Sequence, residues 1–143
     1  MKILSERYYL YCVPAALLLL TLVFRLSAGP FWLAGDSDPD YPYLLNSLNL
    51  SKGQAIGHID HPGTPVQMLG ALFLTLSKPF GSGDLTHRVL SNPETFLVIL
   101  ASILSILAAC LLWYLGASVY AAYGSLFIAL CTQLSLFCLW AEL

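Results

Sequence analysis

Three aspartates alternate with other residues in the segment 35–40 (GDSDPD): Asp36, Asp38 and Asp40. Carboxylates this close repel one another, and a divalent cation that prefers oxygen ligands, such as Mg or Mn, would relieve the repulsion. Without a metal, the repulsion raises the proton affinity of one carboxylate, which then suits it to act as a general base. The alternative is a solvated acidic turn in which Asp40 caps a helix. On spacing alone, all of these interpretations stay open.

A second polar group, His58, Asp60 and His61, lies in the segment 57–65 (GHIDHPGTP). These side chains could ligate a metal, orient a diphosphate or relay a proton. The short spacing makes chelation by both histidines at once awkward. Two prolines and two glycines restrict the segment, which suits residues that must be held in one position. The alternative is a tight loop before a capped helix.

Two arginines stand close to apolar blocks. Arg25 lies near the outer end of the first block, where it could snorkel to the interface or face a lipid phosphate. Arg88 precedes the second block and could serve the same purpose. The cysteines lie in apolar stretches with no metal-binding spacing, and we expect them to be small packed residues: Cys12, Cys110, Cys131 and Cys138.

The composition shows what kind of protein must position these groups. Of 143 residues, 58% are hydrophobic and 10% are charged, and the formal net charge is −2. Soluble domains carry roughly 25% charged residues. The low share of charged residues, together with the mean hydropathy of +0.76, excludes a soluble domain and a disordered chain. A nucleic-acid binder is excluded as well, because it would need a basic stripe.

Long apolar blocks predict membrane spans. The first block, Tyr8–Phe24, has no charge and can extend to Ala28, which at about 1.5 Å per residue crosses a hydrocarbon core of about 30 Å. A cleaved signal peptide is the alternative, but its apolar region is typically about 7–15 residues, and Arg25 stands where small residues should precede cleavage, so we expect a retained helix. Residues 95–141 are also uncharged. They predict spans at about 96–114 and 122–140, with a turn at 115–121 among aromatic residues and glycines.

Lys2 and Arg7 favour a cytoplasmic amino terminus, which makes residues 30–94 external. The predicted fold class is an all-α membrane protein with three transmembrane helices. Its segments are 1–29 (amino terminus and first span), 30–94 (external loop) and 95–143 (a hairpin of two spans). Because the chain stops where the third span ends, we expect it to be the amino-terminal fragment of a longer protein.

Two short helices are predicted within the external loop. The first begins at Asp40, just before Pro42, and ends at Gly53. The second begins at Thr64 and ends at Ser77. At about 13 residues the second is too short to span a bilayer. We expect both to lie on the outer membrane surface as amphipathic helices, which would hold the polar groups near the lipid headgroups.

This layout resembles the amino-terminal part of the GT-C superfamily of membrane glycosyltransferases, which includes protein O-mannosyltransferases, aminoarabinose transferases and the oligosaccharyltransferase catalytic subunit. Asp38-Pro39 followed by Tyr43 looks like the Asp-Pro…Tyr opening of the oligosaccharyltransferase type. The stretch 61–65 (HPGTP), followed by an apolar helix, a glycine and Arg88, is similar to the Lys-Pro-Pro…Gly…Arg pattern of the lipid-A-modifying type. An Asp-Glu pair is missing from the opening, and His61 replaces the lysine.

The resemblance implies transfer of a hexose or pentose from a polyprenyl-phosphate donor to an acceptor at the external face of a bacterial-type inner membrane. Asp38, and next Asp40, would be the catalytic base or a metal ligand near the donor phosphate. The implied substrate-binding residues are Asp36, His58, Asp60, His61 and Arg88. The partners would be the lipid-linked donor and membrane lipids, without nucleic acid. This length of chain alone is expected to be inactive, since superfamily members use many more spans.

Two other functions fit the composition. A transporter fragment should carry charges inside its spans, facing a pathway, and Arg25 alone comes near that description. A small accessory membrane protein without catalysis would use the two surface helices to dock a partner.

Overall fold

The structure, a computed structural model, describes residues 8–33, 40–57 and 64–141. Its described elements are all helical, which confirms the all-α fold class. A 3₁₀ turn, Tyr8–Tyr11, precedes the first α-helix, and another, Lys78–Phe80, follows the third. The six α-helices are α1 Cys12–Ala28, α2 Asp40–Ser51, α3 Thr64–Ser77, α4 Leu85–Ser91, α5 Pro93–Tyr123 and α6 Leu126–Ala141.

The chain divides into two compact units. The first contains α1, the part of α5 from Ser102 onward, and α6. The second, Gly29–Ala101, contains α2, α3, α4 and the start of α5. The second unit has a core of buried apolar side chains: Leu44, Leu48, Leu74, Leu85, Val89, Phe96 and Leu97.

Within the described ranges, two helical stretches are long and apolar enough to cross a membrane, Tyr8–Ala28 and Pro93–Tyr123. The most apolar window of each is only 22% buried. A core helix of a soluble protein would be largely covered, whereas these helices leave their apolar surface for another apolar medium. The structure therefore indicates membrane association. The described apolar part of α6, Leu126–Leu136, is shorter than a span.

The break between α5 and α6 differs from the predicted turn at 115–121. Those residues are helical, and the chain breaks at Gly124, whose φ of +63° suits a glycine. Gly116 serves close packing instead, because an ideal Cβ there would lie 2.2 Å from Nε2 of Gln133. Both glycines lie among aromatic residues, so local sequence did not distinguish the packing position from the turn.

Gln133 on α6 holds the first unit together. Its side chain is fully buried, and Nε2 donates to the backbone oxygens of Leu112 (2.8 Å) and Leu10 (3.1 Å). The amide thus joins α6 to α5 and to the turn before α1. Tyr11 and Trp113 stack with ring centroids 5.7 Å apart, which adds an aromatic contact to the same unit.

Gly116→Ala should destabilise the protein, although alanine favours a helix over glycine by about 1 kcal/mol. The new methyl group would push Gln133 away from its two carbonyl acceptors, and overpacking of this kind costs about 1–3 kcal/mol. Thermal unfolding in detergent micelles measures the loss. Ser118→Ala, at an exposed site on the same helix, is the control. A melting temperature for Gly116→Ala at or above that of Ser118→Ala would contradict this account.

Candidate functional site

The site is organised by the close packing of α3 on α2. Ser47 is fully buried, and its hydroxyl donates to the Tyr43 carbonyl at 2.7 Å. An ideal Cβ on Gly70 would lie 2.3 Å from Ser47 Oγ and 2.8 Å from Ser47 Cβ. Only a glycine at position 70 lets the two helices approach this closely.

Two contacts establish that α2 and α3 run in the same direction. Ser47 lies against Gly70, and further along both helices Lys78 Nζ donates to the Ser51 carbonyl at 3.1 Å. If the two helices were antiparallel and still met at Ser47 and Gly70, Lys78 and Ser51 would be about 18 Å apart along the helix axis. That distance is beyond the reach of a lysine side chain. The first residues of the two helices, Asp40 and Thr64, therefore lie at the same end of the pair.

The loop after α2 turns back towards that end. Gly53 has a φ of +71°, a conformation that suits the carboxyl-terminal end of a helix. By Gly57 the chain has returned alongside α2, because its N–H donates to Oδ1 of the buried Asn46 at 3.0 Å. Asn46 thus fixes the chain just before the segment 58–63.

Most of the predicted site residues lie outside the described residues: Asp36, Asp38, His58, Asp60 and His61. The described chain resumes at Asp40 after the acidic segment and at Thr64 after the histidine-containing segment. These two residues, Asp40 and Thr64, lie at the same end of the helix pair.

Arg88, by contrast, lies at the other end of α3. Its guanidinium is half-buried over Gly81, and Nη1 makes a long hydrogen bond of 3.5 Å to the Ser77 carbonyl. From Thr64 to Ser77 the helix extends about 20 Å. The structure thus separates Arg88 from Asp40 and uses it to close the turn after α3.

Glu94, in the first turn of α5, was not singled out from the sequence. Its Oε2 accepts from the Phe31 N–H at 3.1 Å, and its Oε1 accepts from the Tyr41 hydroxyl. This hydrogen bond to Glu94 raises the pKa of Tyr41, so the phenol stays protonated and remains a donor. Glu94 could have been found from the sequence as an acidic residue at the edge of a long uncharged helix. A charge in that position is energetically unfavourable unless other groups bind it.

The first loop helix, α2, was expected to lay its apolar face on the membrane surface, but that face packs against protein. Leu44, Ser47 and Leu48 are buried in the second unit. On α3, three apolar residues at helical spacing stay exposed, each by more than half: Met68, Leu72 and Leu76. Thus α3 packs one face on α2 and leaves an apolar stripe exposed, and it has no charged face of the kind that the amphipathic prediction requires.

No group of three or more metal-ligating side chains comes together among the described residues. Asp36 and Asp38, two members of the predicted oxygen-ligand set, lie outside them. Comparisons with protein-family models, with curated proteins and with solved structures gave no match.

Proposed function

We propose that this chain is the amino-terminal part of a membrane glycosyltransferase of the GT-C type, which moves a sugar from a polyprenyl-phosphate donor to an acceptor. The observation that carries the proposal is the common direction of α2 and α3. It puts Asp40 and Thr64, the residues that follow the acidic segment and the histidine-containing segment in sequence, at one end of the helix pair. Such a transfer needs a base and groups that bind phosphate in one place.

The membrane setting supports a lipid-borne donor. Beside the two apolar helical stretches, the exposed stripe of α3 at Met68, Leu72 and Leu76 offers an apolar surface to the bilayer. We propose that α6 completes a third span and that residues 30–94 lie at the external face of a bacterial inner membrane. The helix pair would then hold its polar end at the level of the lipid headgroups.

In the proposed reaction, a nucleophilic atom of the acceptor attacks the anomeric carbon and the bond from that carbon to the phosphate oxygen breaks. Asp38 takes the acceptor proton, and Asp40 is the second candidate for this role. General-base catalysis of this kind typically contributes 10²–10⁴-fold. His58, His61 and a divalent cation would stabilise the departing lipid phosphate.

Asp36 and Asp60 complete the proposed polar group as ligands of that cation or of the acceptor. Arg88 does not belong to it, because its position near Ser77 places it about 20 Å from the end that carries Asp40. We therefore assign Arg88 a structural role in the turn at Gly81.

The direct test is a transfer assay with labelled polyprenyl-phosphate sugars on membranes that contain the protein, extended downstream where the reading frame continues. We expect labelled product, lost on chelation and restored by Mg or Mn if the aspartates hold a cation. Absence of product with every donor would contradict the proposal and favour the non-catalytic accessory protein.

Topology is tested separately by cysteine labelling, after the four native cysteines are replaced by alanine. Gln54→Cys lies in the exposed loop after α2, and Ala122→Cys lies at the exposed end of α5. We expect a membrane-impermeant maleimide to label Gln54→Cys in intact cells, and Ala122→Cys only after permeabilisation. The reverse pattern would overturn the external location of the loop.

A further inference from the structure

One carboxylate holds the chain on both sides of the acidic segment. Glu94 accepts from the Phe31 N–H, three residues before position 34, and from the Tyr41 hydroxyl, next to Asp40. Its partners are 63 and 53 residues away in sequence. Phe31 and Tyr41 also pack against the core of the second unit, so both residues that donate to Glu94 are part of a folded unit.

The contacts suit an ionised Glu94. Each carboxylate oxygen accepts one of the two hydrogen bonds, and bonds to a charged acceptor are about twice as strong as neutral ones. Glu94 lies in the first turn of α5, where the helix dipole stabilises negative charge. The raised pKa of Tyr41 agrees with a phenol that donates to this carboxylate.

We propose that Glu94 is a positioning residue for the transfer reaction: through Tyr41 it fixes the first turn of α2, and so the position of Asp40, one of the two candidate bases. The effect of Glu94 on sugar transfer rests on the proposed function, whereas its hydrogen bonds to Phe31 and Tyr41 do not depend on that function. Glu94 acts through Tyr41 and Phe31 and need not touch the substrate.

Hydrogen exchange tests whether Glu94 holds Phe31, and it does not require sugar-transfer activity. In Glu94→Gln a neutral amide replaces the carboxylate, so the Phe31 N–H either loses its acceptor or keeps an uncharged and therefore weaker one. We expect the amide of Phe31, followed by mass spectrometry of the 30–33 region in micelles, to exchange about fivefold faster, as for the loss of one ordinary hydrogen bond. Tyr41→Phe, which keeps the ring and removes the donor, is a second variant with little risk of unfolding.

Tyr43→Phe is the matched control, because Tyr43 is also half-buried on α2 and its hydroxyl makes no hydrogen bond within the described part of the chain. We expect its exchange at Phe31 to equal that of the wild type. Unchanged exchange in Glu94→Gln, or an equal rise in Tyr43→Phe, would overturn the inference, whether or not the protein transfers sugar.

The kinetic arm separates positioning from general stability. In the transfer assay, Glu94→Gln and Tyr41→Phe should lower kcat about tenfold, while KM for the lipid donor stays within about twofold, because alignment is lost and binding is kept. Tyr43→Phe should leave both constants unchanged. A rise in KM with unchanged kcat in Glu94→Gln would refute the positioning role.

Discussion

Under the proposed glycosyltransferase function, Asp38→Asn should abolish sugar transfer and leave expression unchanged. The amide is nearly isosteric with the carboxylate but cannot take the proton of the acceptor. Loss of a general base costs typically 10²–10⁴-fold in rate. Transfer from labelled polyprenyl-phosphate sugars measures the activity, and the amount of protein in the membrane fraction measures expression.

Asp40→Asn is the matched variant for Asp38→Asn. Asp40 is the first residue of α2, where a negative charge stabilises the helix amino terminus. If that is its whole role, Asp40→Asn should reduce transfer far less than Asp38→Asn. Wild-type transfer by Asp38→Asn would refute the assignment of the base, and a larger loss in Asp40→Asn would move the base to position 40.

Gly70→Val should separate α2 from α3 and remove both fold stability and transfer. The new side chain meets Ser47 Oγ and Cβ, and Ser47 cannot retreat because it is fully buried and its Cβ is fixed to the backbone. Overpacking costs about 1–3 kcal/mol even for smaller insertions. Because the pairing sets the common end of the two helices, transfer should fall in parallel with the melting temperature.

A compensating pair of substitutions identifies the cause. Gly70→Ala alone should lower the melting temperature, and Ser47→Gly alone should cost about 0.5 kcal/mol through helix propensity. The double variant removes the atoms that the new methyl group meets, so it should be more stable than the sum of the single changes predicts. A strictly additive result, or an unchanged melting temperature in Gly70→Ala, would contradict the close-packing account.

Prediction and structure agree where capping and turn residues mark the ends of a helix. The first loop helix was predicted to begin at Asp40 and to end at Gly53, and α2 covers Asp40–Ser51 with Gly53 at positive φ. The second was predicted from Thr64 to Ser77, the bounds of α3. Prolines in the first turn and a glycine after the end act within a few residues, so local sequence is sufficient.

The same local signals did not predict which of two glycines ends α5. Gly116 and Gly124 have similar aromatic neighbours, yet one lies inside α5 and the other ends it. The difference is made by Gln133, which packs against Gly116 and holds carbonyls on two other segments. A contact of this kind depends on how helices meet, and it leaves no mark in a window of neighbouring residues.

By itself, the amino-acid sequence determined that this chain is helical, that much of its surface suits lipid, and that its chemistry-bearing residues precede two short helices. Composition and local capping rules are enough for these conclusions. The tertiary structure decided that those helices run in the same direction, that Arg88 lies at their far end, and that Glu94 holds Phe31 and Tyr41. Such contacts join residues tens of positions apart, and the packing of buried side chains and the pairing of buried polar groups select them.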